Sequence, residues 1–210
     1  SKNFDIALLF LSEPVTDVDP AILPTESEAE LLTEGLDVTV VGWGMQEAGV
    51  PWEAPAPGTY AEKHHGESII SEMGKAEFQV GDEIDDVRKC HGDSGGPTFV
   101  EVQTDSAITE RVIGVTSHAY DYTDCFLTGG VDTRVDFYLD WIDDQMRAAC
   151  EDGTRSWCET EGIIPPPHAD GTPGYLEPET LAACSVVPVA PAGGWLALTA
   201  AFAMRRRETR

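Results

Sequence analysis

The octapeptide at residues 90–97, Cys-His-Gly-Asp-Ser-Gly-Gly-Pro, constrains this chain more than any other stretch. Glycine at 92, 95 and 96 tolerates the positive φ angles of a tight turn and leaves space that a larger side chain would fill. Ser94 is therefore expected to lie exposed on a turn, with backbone N–H groups beside it free to point at a developing oxyanion. An ordinary loop between two strands is the alternative.

Short apolar or β-branched runs predict a mostly β fold. The run at 5–11 predicts a buried strand, because it is short and ends at an acidic residue followed by proline. Further strands are predicted at 38–44, 98–102, 111–116 and 130–135.

The remaining segments of the domain are read from turn residues and from helical periodicity. Residues 15–34 predict a surface connection with one helical turn, and 45–66 an irregular loop rich in proline. Residues 67–80 mix short strand-like pieces. From about 135 to 150 the apolar residues follow helical spacing. Many short strands followed by one late helix predict an all-β barrel with a terminal helix.

The composition excludes several classes of function. A formal net charge of −25 opposes binding to nucleic acid and, except at the very end of the chain, to the anionic face of a membrane, and it favours a solvated acidic surface. Five cysteines fit two disulfides and one leftover thiol in an oxidising compartment. No Cys-x₂-Cys pair and no calcium-loop spacing occur, so neither a metal nor a cofactor is expected.

The octapeptide matches all seven fixed positions of the pattern Cys-x-Gly-Asp-Ser-Gly-Gly-Pro. With it, about residues 1–147 resemble the C-terminal two-thirds of a trypsin/chymotrypsin-type serine protease. The resemblance implies a chymotrypsin-like double β-barrel, here mainly the second barrel and the terminal helix. Residues 1–150 would form this N-terminally incomplete domain. Its activity would be cleavage of protein or peptide substrates by a monomer.

The resemblance also implies roles for single residues. Ser94 would be the nucleophile, and the N–H groups of Gly92 and Ser94 would form the oxyanion hole. Asp5, in the run Asp-Ile-Ala-Leu-Leu, would be the buried acid that orients the catalytic imidazole; a cap or turn residue is the alternative. Asp93 would pair with a new N-terminal ammonium after zymogen cleavage.

The general base is the missing member of this triad. None of the five histidines lies in the Ala-Ala-His-Cys-like motif that supplies it in the family. We expect a fragment that lacks the base and does not react with a fluorophosphonate. A homologue that never had the base and binds proteins through the same groove is the alternative; an adhesion module would leave the serine motif unexplained.

Arg88 lies two residues before Cys90, where the resemblance places the base of the primary specificity pocket. A fixed cation there would favour acidic or polar P1 side chains and reject Lys and Arg. In the alternative, Arg88 points to solvent or pairs with Asp85 or Asp86.

Other pocket residues follow from the same resemblance. His91 would line the substrate groove. Ser117, His118 and Ala119 would form the wall that binds the substrate backbone as an added strand, and Ala119 would narrow the pocket entrance. Gly130 would keep the pocket open.

The cysteines divide between the domain and its tail. Cys90 and Cys125 match the disulfide that ties the pocket walls together, with two free buried thiols as the alternative, and Cys150 and Cys158 lie close in sequence. The leftover residue is Cys184.

The chain ends in two segments of different composition. Residues 151–183 read as an acidic linker rich in proline and glycine. Residues 184–210 contain Cys184, an apolar stretch and three arginines, and resemble a myxobacterial C-terminal sorting signal. A membrane anchor or a buried helix is the alternative. This tail would engage a membrane or a sorting machinery, placing an exported bacterial protein at the cell surface or outer envelope.

Overall fold

The structure, a computed structural model, describes residues 5–11, 15, 17–46, 62–81, 86–104, 107–119, 129–151 and 158. Within these ranges the chain forms a closed antiparallel barrel. Its strands are β1 (Asp37–Gly42), β2 (His64–Met73), β3 (Glu77–Val80), β4 (Pro97–Gln103), β5 (Ile108–Ala119) and β6 (Gly130–Arg134).

The strands follow one another around the barrel in the order β1-β2-β3-β6-β5-β4, and β4 pairs with β1 to close it. Each pairing is antiparallel. The β5–β6 register shifts between Thr116 and His118, at Ser117. The prediction of an all-β, chymotrypsin-like barrel is therefore confirmed.

The interior of the barrel is built from the alternating apolar residues of its strands. In β1, for example, Val38 and Val40 are buried while Thr39 between them is half-exposed. The resulting core cluster consists of Leu32, Val38, Val40, Ile70, Phe78, Val80, Val100, Val102 and Ile113.

A second apolar cluster packs the terminal helix against the barrel. A 3₁₀ turn, Asp136–Tyr138, leads into α2 (Leu139–Cys150), as predicted from the helical spacing. Its buried face joins β5 through Leu139 and Ile142, which cluster with Val112 and Val115. The helix ends at a disulfide between Cys150 and Cys158.

Two sequence predictions change in detail, and a third is confirmed. Residues 5–11 form no strand; they are mostly half-buried, and Ile6 and Leu8 pack against the helix cluster. An apolar run reports burial but not a pairing partner, and no described strand pairs with this one. His64 and His65, expected in a loop, begin β2 and are exposed. Residues 15–34 contain the single predicted turn of helix, α1 (Glu26–Ala29).

Several predicted features lie outside the described residues. They are Cys125, Cys184, the linker apart from residues 151 and 158, and the whole tail 184–210. Within the described ranges, no helix combines the length and apolar character that a membrane span requires.

Candidate active site

The loop that carries Ser94 is a pair of tight turns shaped by its glycines. Gly92 and Gly95 adopt positive φ angles of 98° and 79°, as the octapeptide predicts. Gly96 is required for a different reason: a Cβ there would lie 2.8 Å from the carbonyl oxygen of Asp93. Ser94 is exposed at the apex.

Asp93 holds this loop together and ties it to the end of β1. Its N–H donates to the Cys90 carbonyl at 3.0 Å, and its Oδ2 accepts the Cys90 N–H at 2.8 Å. Its Oδ1 accepts the Gly44 N–H at 2.7 Å. A side chain at Gly42 would overlap Asp93 Oδ1, so the Gly-Trp-Gly segment is shaped to receive this carboxylate.

Backbone hydrogen bonds fasten the other side of the loop to β5. The Gly95 N–H donates to the Thr116 carbonyl at 2.8 Å, and the Thr116 N–H donates to the Gly96 carbonyl at 2.9 Å. The N–H groups on either side of Ser94 are therefore both engaged, that of Asp93 with the Cys90 carbonyl and that of Gly95 with the Thr116 carbonyl. In the part of the chain that the structure describes, the N–H groups of Gly92 and Ser94 itself donate to no protein acceptor.

Asp5 lies beside the strands that neighbour this loop. Its Oδ2 accepts the Ser117 hydroxyl at 2.7 Å, and its carbonyl accepts the Thr133 hydroxyl at 2.9 Å. Asp5 was expected to be buried, but it is exposed, because no described segment packs over it. The imidazole Nδ1 of His118 lies 3.1 Å from the same Ser117 hydroxyl.

The predicted pocket residues lie on two facing elements. Arg88 and His91 are half-buried in the Ser94 loop, and two guanidinium nitrogens of Arg88, Nε and Nη2, are shielded from solvent. On the other side, Ala119 pairs with Gly130 across β5 and β6. Cys90 is disulfide-bonded, and its predicted partner Cys125 lies outside the described residues.

A buried ion pair that the sequence patterns did not predict lies beneath this loop. The Lys89 ammonium lies 2.8 Å from Asp132 Oδ2, and the side chains are 2% and 0% exposed. The Thr98 hydroxyl donates to the same carboxylate oxygen. Burial lowers the pKa of Lys89, while the neighbouring charge of Asp132 opposes that shift. The sequence did contain a signal for this pair, since Lys89 directly precedes Cys90 of the octapeptide and Asp132 lies within a predicted strand.

A closed antiparallel barrel that presents a Gly-Asp-Ser-Gly-Gly turn at its surface defines the class of chymotrypsin-like barrels. The chain belongs to the trypsin family, whose sequence profile matches residues 1–142.

Individual relatives are similar over the same region. Melanization protease 1 of Drosophila melanogaster is 33% identical over 157 residues, covering 69% of this chain and 38% of the relative. Spaetzle-processing enzyme of the same fly is 31% identical over 157 residues, covering 68% of this chain and 38% of the relative. Clotting factor C of Tachypleus tridentatus is 32% identical over 157 residues, covering 67% of this chain and 15% of the relative. The chain thus spans between 15% and 38% of the length of these relatives.

Proposed function

We propose that the protein is a serine endopeptidase that cleaves peptide bonds through an acyl-enzyme intermediate. The observation that carries this proposal is the pattern of hydrogen bonds around Ser94. The N–H groups of Asp93, Gly95 and Gly96 have internal acceptors. Those of Gly92 and Ser94, in the described part of the chain, have none. This leaves two donors next to an exposed hydroxyl.

The reaction uses these groups in order. Ser94 Oγ attacks the substrate carbonyl carbon while a base removes its proton, and the carbonyl oxygen becomes an oxyanion held by the N–H groups of Gly92 and Ser94. The base returns the proton to the departing amine, and the acyl group remains on Ser94. Water then attacks the acyl-enzyme and releases the acid.

Asp5 would orient the imidazole and stabilise its charged form. Its present partner is the Ser117 hydroxyl, and no described histidine bonds its carboxylate. We therefore propose that the base is a histidine encoded upstream of Ser1. DNA that encodes an Ala-Ala-His-Cys-like motif there would support this; a start codon at Ser1 would contradict it. The hydrogen bond from Ser117 to Asp5 also favours the second candidate function, a binding protein without catalysis, because it engages the carboxylate with a group other than an imidazole.

Further parts of the proposal concern substrates and location. The substrates are proteins or peptides, bound along Ser117, His118 and Ala119, with P1 residues other than Lys and Arg. A Cys90–Cys125 disulfide would tie the pocket walls together. The tail beginning at Cys184 would attach an exported protein to the cell surface.

The test uses the extended protein, meaning this chain together with the upstream-encoded segment. Replacing the nucleophile in S94A should lower kcat/KM for a peptide amide by at least about a thousandfold, since the acyl-enzyme cannot form. The matched control is S27A, which removes an exposed serine hydroxyl on α1 and should retain full activity. Equal activity of S94A and S27A would contradict the proposal.

A further inference from the structure

Lys89 occupies the space between the Ser94 loop and β6. A Cβ built at Gly130 would have the Lys89 Cβ as its nearest neighbour, at 3.5 Å. Gly130 pairs with Ala119, at the end of the proposed substrate-binding strand. The backbone of Lys89 therefore faces the wall of the proposed primary pocket.

The side chain of Lys89 runs from this wall to Asp132. Asp132 lies two residues after Gly130 in β6, so both positions are on the same face of the strand. The ammonium lies 2.8 Å from Asp132 Oδ2 and 3.5 Å from the Gly96 carbonyl. The ion pair thus lies directly under the loop that carries Ser94.

If Lys89 were absent, Asp132 would be an unpaired buried carboxylate that could bind a cation. It is fully buried, and within the described residues its second oxygen, Oδ1, has no hydrogen-bond partner. A buried carboxylate requires a cation or a proton, because desolvation strongly disfavours an unpaired charge. Lys89 supplies that cation from within the chain.

We propose that Lys89 is a specificity-determining residue whose ammonium takes the position that a P1 Lys or Arg side chain would otherwise occupy. With Asp132 neutralised, the pocket offers no anion to a basic P1 residue, and the substrates are peptides with other P1 residues. This inference rests on the proposed protease function, and it assigns the rejection of basic P1 residues to Lys89 in place of Arg88.

The activity test compares three variants of the extended protein, each titrated with a fluorophosphonate to count competent sites. The quantity measured is kcat/KM for a Lys-P1 peptide relative to an Ala-P1 peptide. In K89S, which vacates the space and leaves Asp132 unpaired, this ratio should rise at least about tenfold. In K89M, which fills the space, and in R88S, it should change less than about threefold. A K89S enzyme that titrates normally with an unchanged ratio overturns the proposal, as does an equal rise in R88S.

A second readout needs no catalysis. n-Butylammonium has the atoms of a whole lysine side chain from Cβ to Nζ, so it stands in for a P1 Lys and should raise the unfolding temperature of the 210-residue K89S chain in a saturable way. It should leave wild type, K89M and the double variant K89S/D132N unchanged. If K89S folds only poorly, n-butylammonium should increase its recovery on refolding; no increase overturns the proposal. If the extended protein fails to titrate while K89S still responds to the cation, the protease function is wrong and the cation site stands.

Discussion

Arg111 and Lys89 are both buried cations paired with a carboxylate, and the two pairs differ in what surrounds them. Arg111 donates two hydrogen bonds to the Glu28 carboxylate, from Nε at 2.9 Å and from Nη2 at 2.8 Å. Its Nη1 donates to the Thr109 hydroxyl. Glu28 is 13% exposed. Lys89 makes one contact with its carboxylate, which is completely buried. The Arg111–Glu28 pair is thus bidentate and partly exposed to solvent, whereas the Lys89–Asp132 pair has one contact and is fully buried.

The difference teaches what each pair does. Glu28 also accepts the Thr25 N–H at 2.8 Å, so the Arg111 pair joins β5 to the helix α1 and its N-terminal cap. Both carboxylate oxygens of Glu28 accept a hydrogen bond from Arg111, and such a bidentate ion pair is typical of a contact that stabilises the fold. The Lys89–Asp132 pair leaves a carboxylate oxygen unused in the described residues and borders the Ser94 loop. An incompletely satisfied pair beside a proposed pocket is better suited to controlling which ligand enters.

The largest expected effect is the loss of the structural pair in E28A. Removing the carboxylate leaves the Arg111 cation buried without compensation, and we expect the free energy of unfolding to fall by about 3–5 kcal/mol. Urea unfolding of the 210-residue chain measures this. E26A is the matched control, since Glu26 is an exposed acid in the same turn of α1. Equal losses in E26A and E28A would show that the Arg111 pair stabilises nothing.

A smaller effect is expected from pH. Burial by itself would raise the pKa of Glu28, but hydrogen bonds from Arg111 and Thr25 and the charge of Arg111 outweigh it and lower the pKa. A carboxyl with a lower pKa in the folded state stabilises the fold above its unfolded value, and this contribution is lost as the pH falls through the folded value.

The unfolding temperature of wild type relative to E28Q should therefore be highest near neutral pH. The difference should shrink as the pH falls below the ordinary glutamate value of 4.5. Calorimetry across this range measures it, with E26Q as control. A difference that grows in acid would contradict the assignment.

The smallest effect is expected when the enclosed pair is replaced as a unit. In K89M/D132L both charges leave together and apolar side chains fill the space, which offsets the cost of leaving the buried Thr98 hydroxyl without its acceptor, so the free energy of unfolding should change by less than about 1.5 kcal/mol. The corresponding double variant R111M/E28L should lose more, because it also breaks the cap of α1 and the bond to Thr109. Equal losses in the two double variants would erase the distinction between the pairs.

Local patterns in the sequence were sufficient for most of the barrel. Alternating β-branched residues predicted the strands around 38–42 and 130–134, and helical spacing predicted α2. Positive φ at Gly92 and Gly95 was predicted from the turn, whereas Gly96 is required by the close approach of the Asp93 carbonyl oxygen, which the sequence pattern did not specify. Each of these features depends on residues close together in the chain.

Features that depend on distant residues were not predicted. The Lys89–Asp132 pair joins positions 43 residues apart, and the Arg111–Glu28 pair joins positions 83 apart. The exposure of Asp5 and its bond to Ser117 depend on what packs around residues 5–11, which an apolar run does not specify. The roles assigned to Asp5 and Ser94 remain predictions.

The most direct measurement is to locate the fluorophosphonate adduct by mass spectrometry after treating the extended protein. We predict stoichiometric modification of Ser94 within the 90–97 peptide, no modification in S94A, and, because the proposed base is encoded upstream of Ser1, none in the 210-residue chain. A folded extended protein that carries no adduct on Ser94 would contradict the central claim that this serine is the nucleophile of a protease.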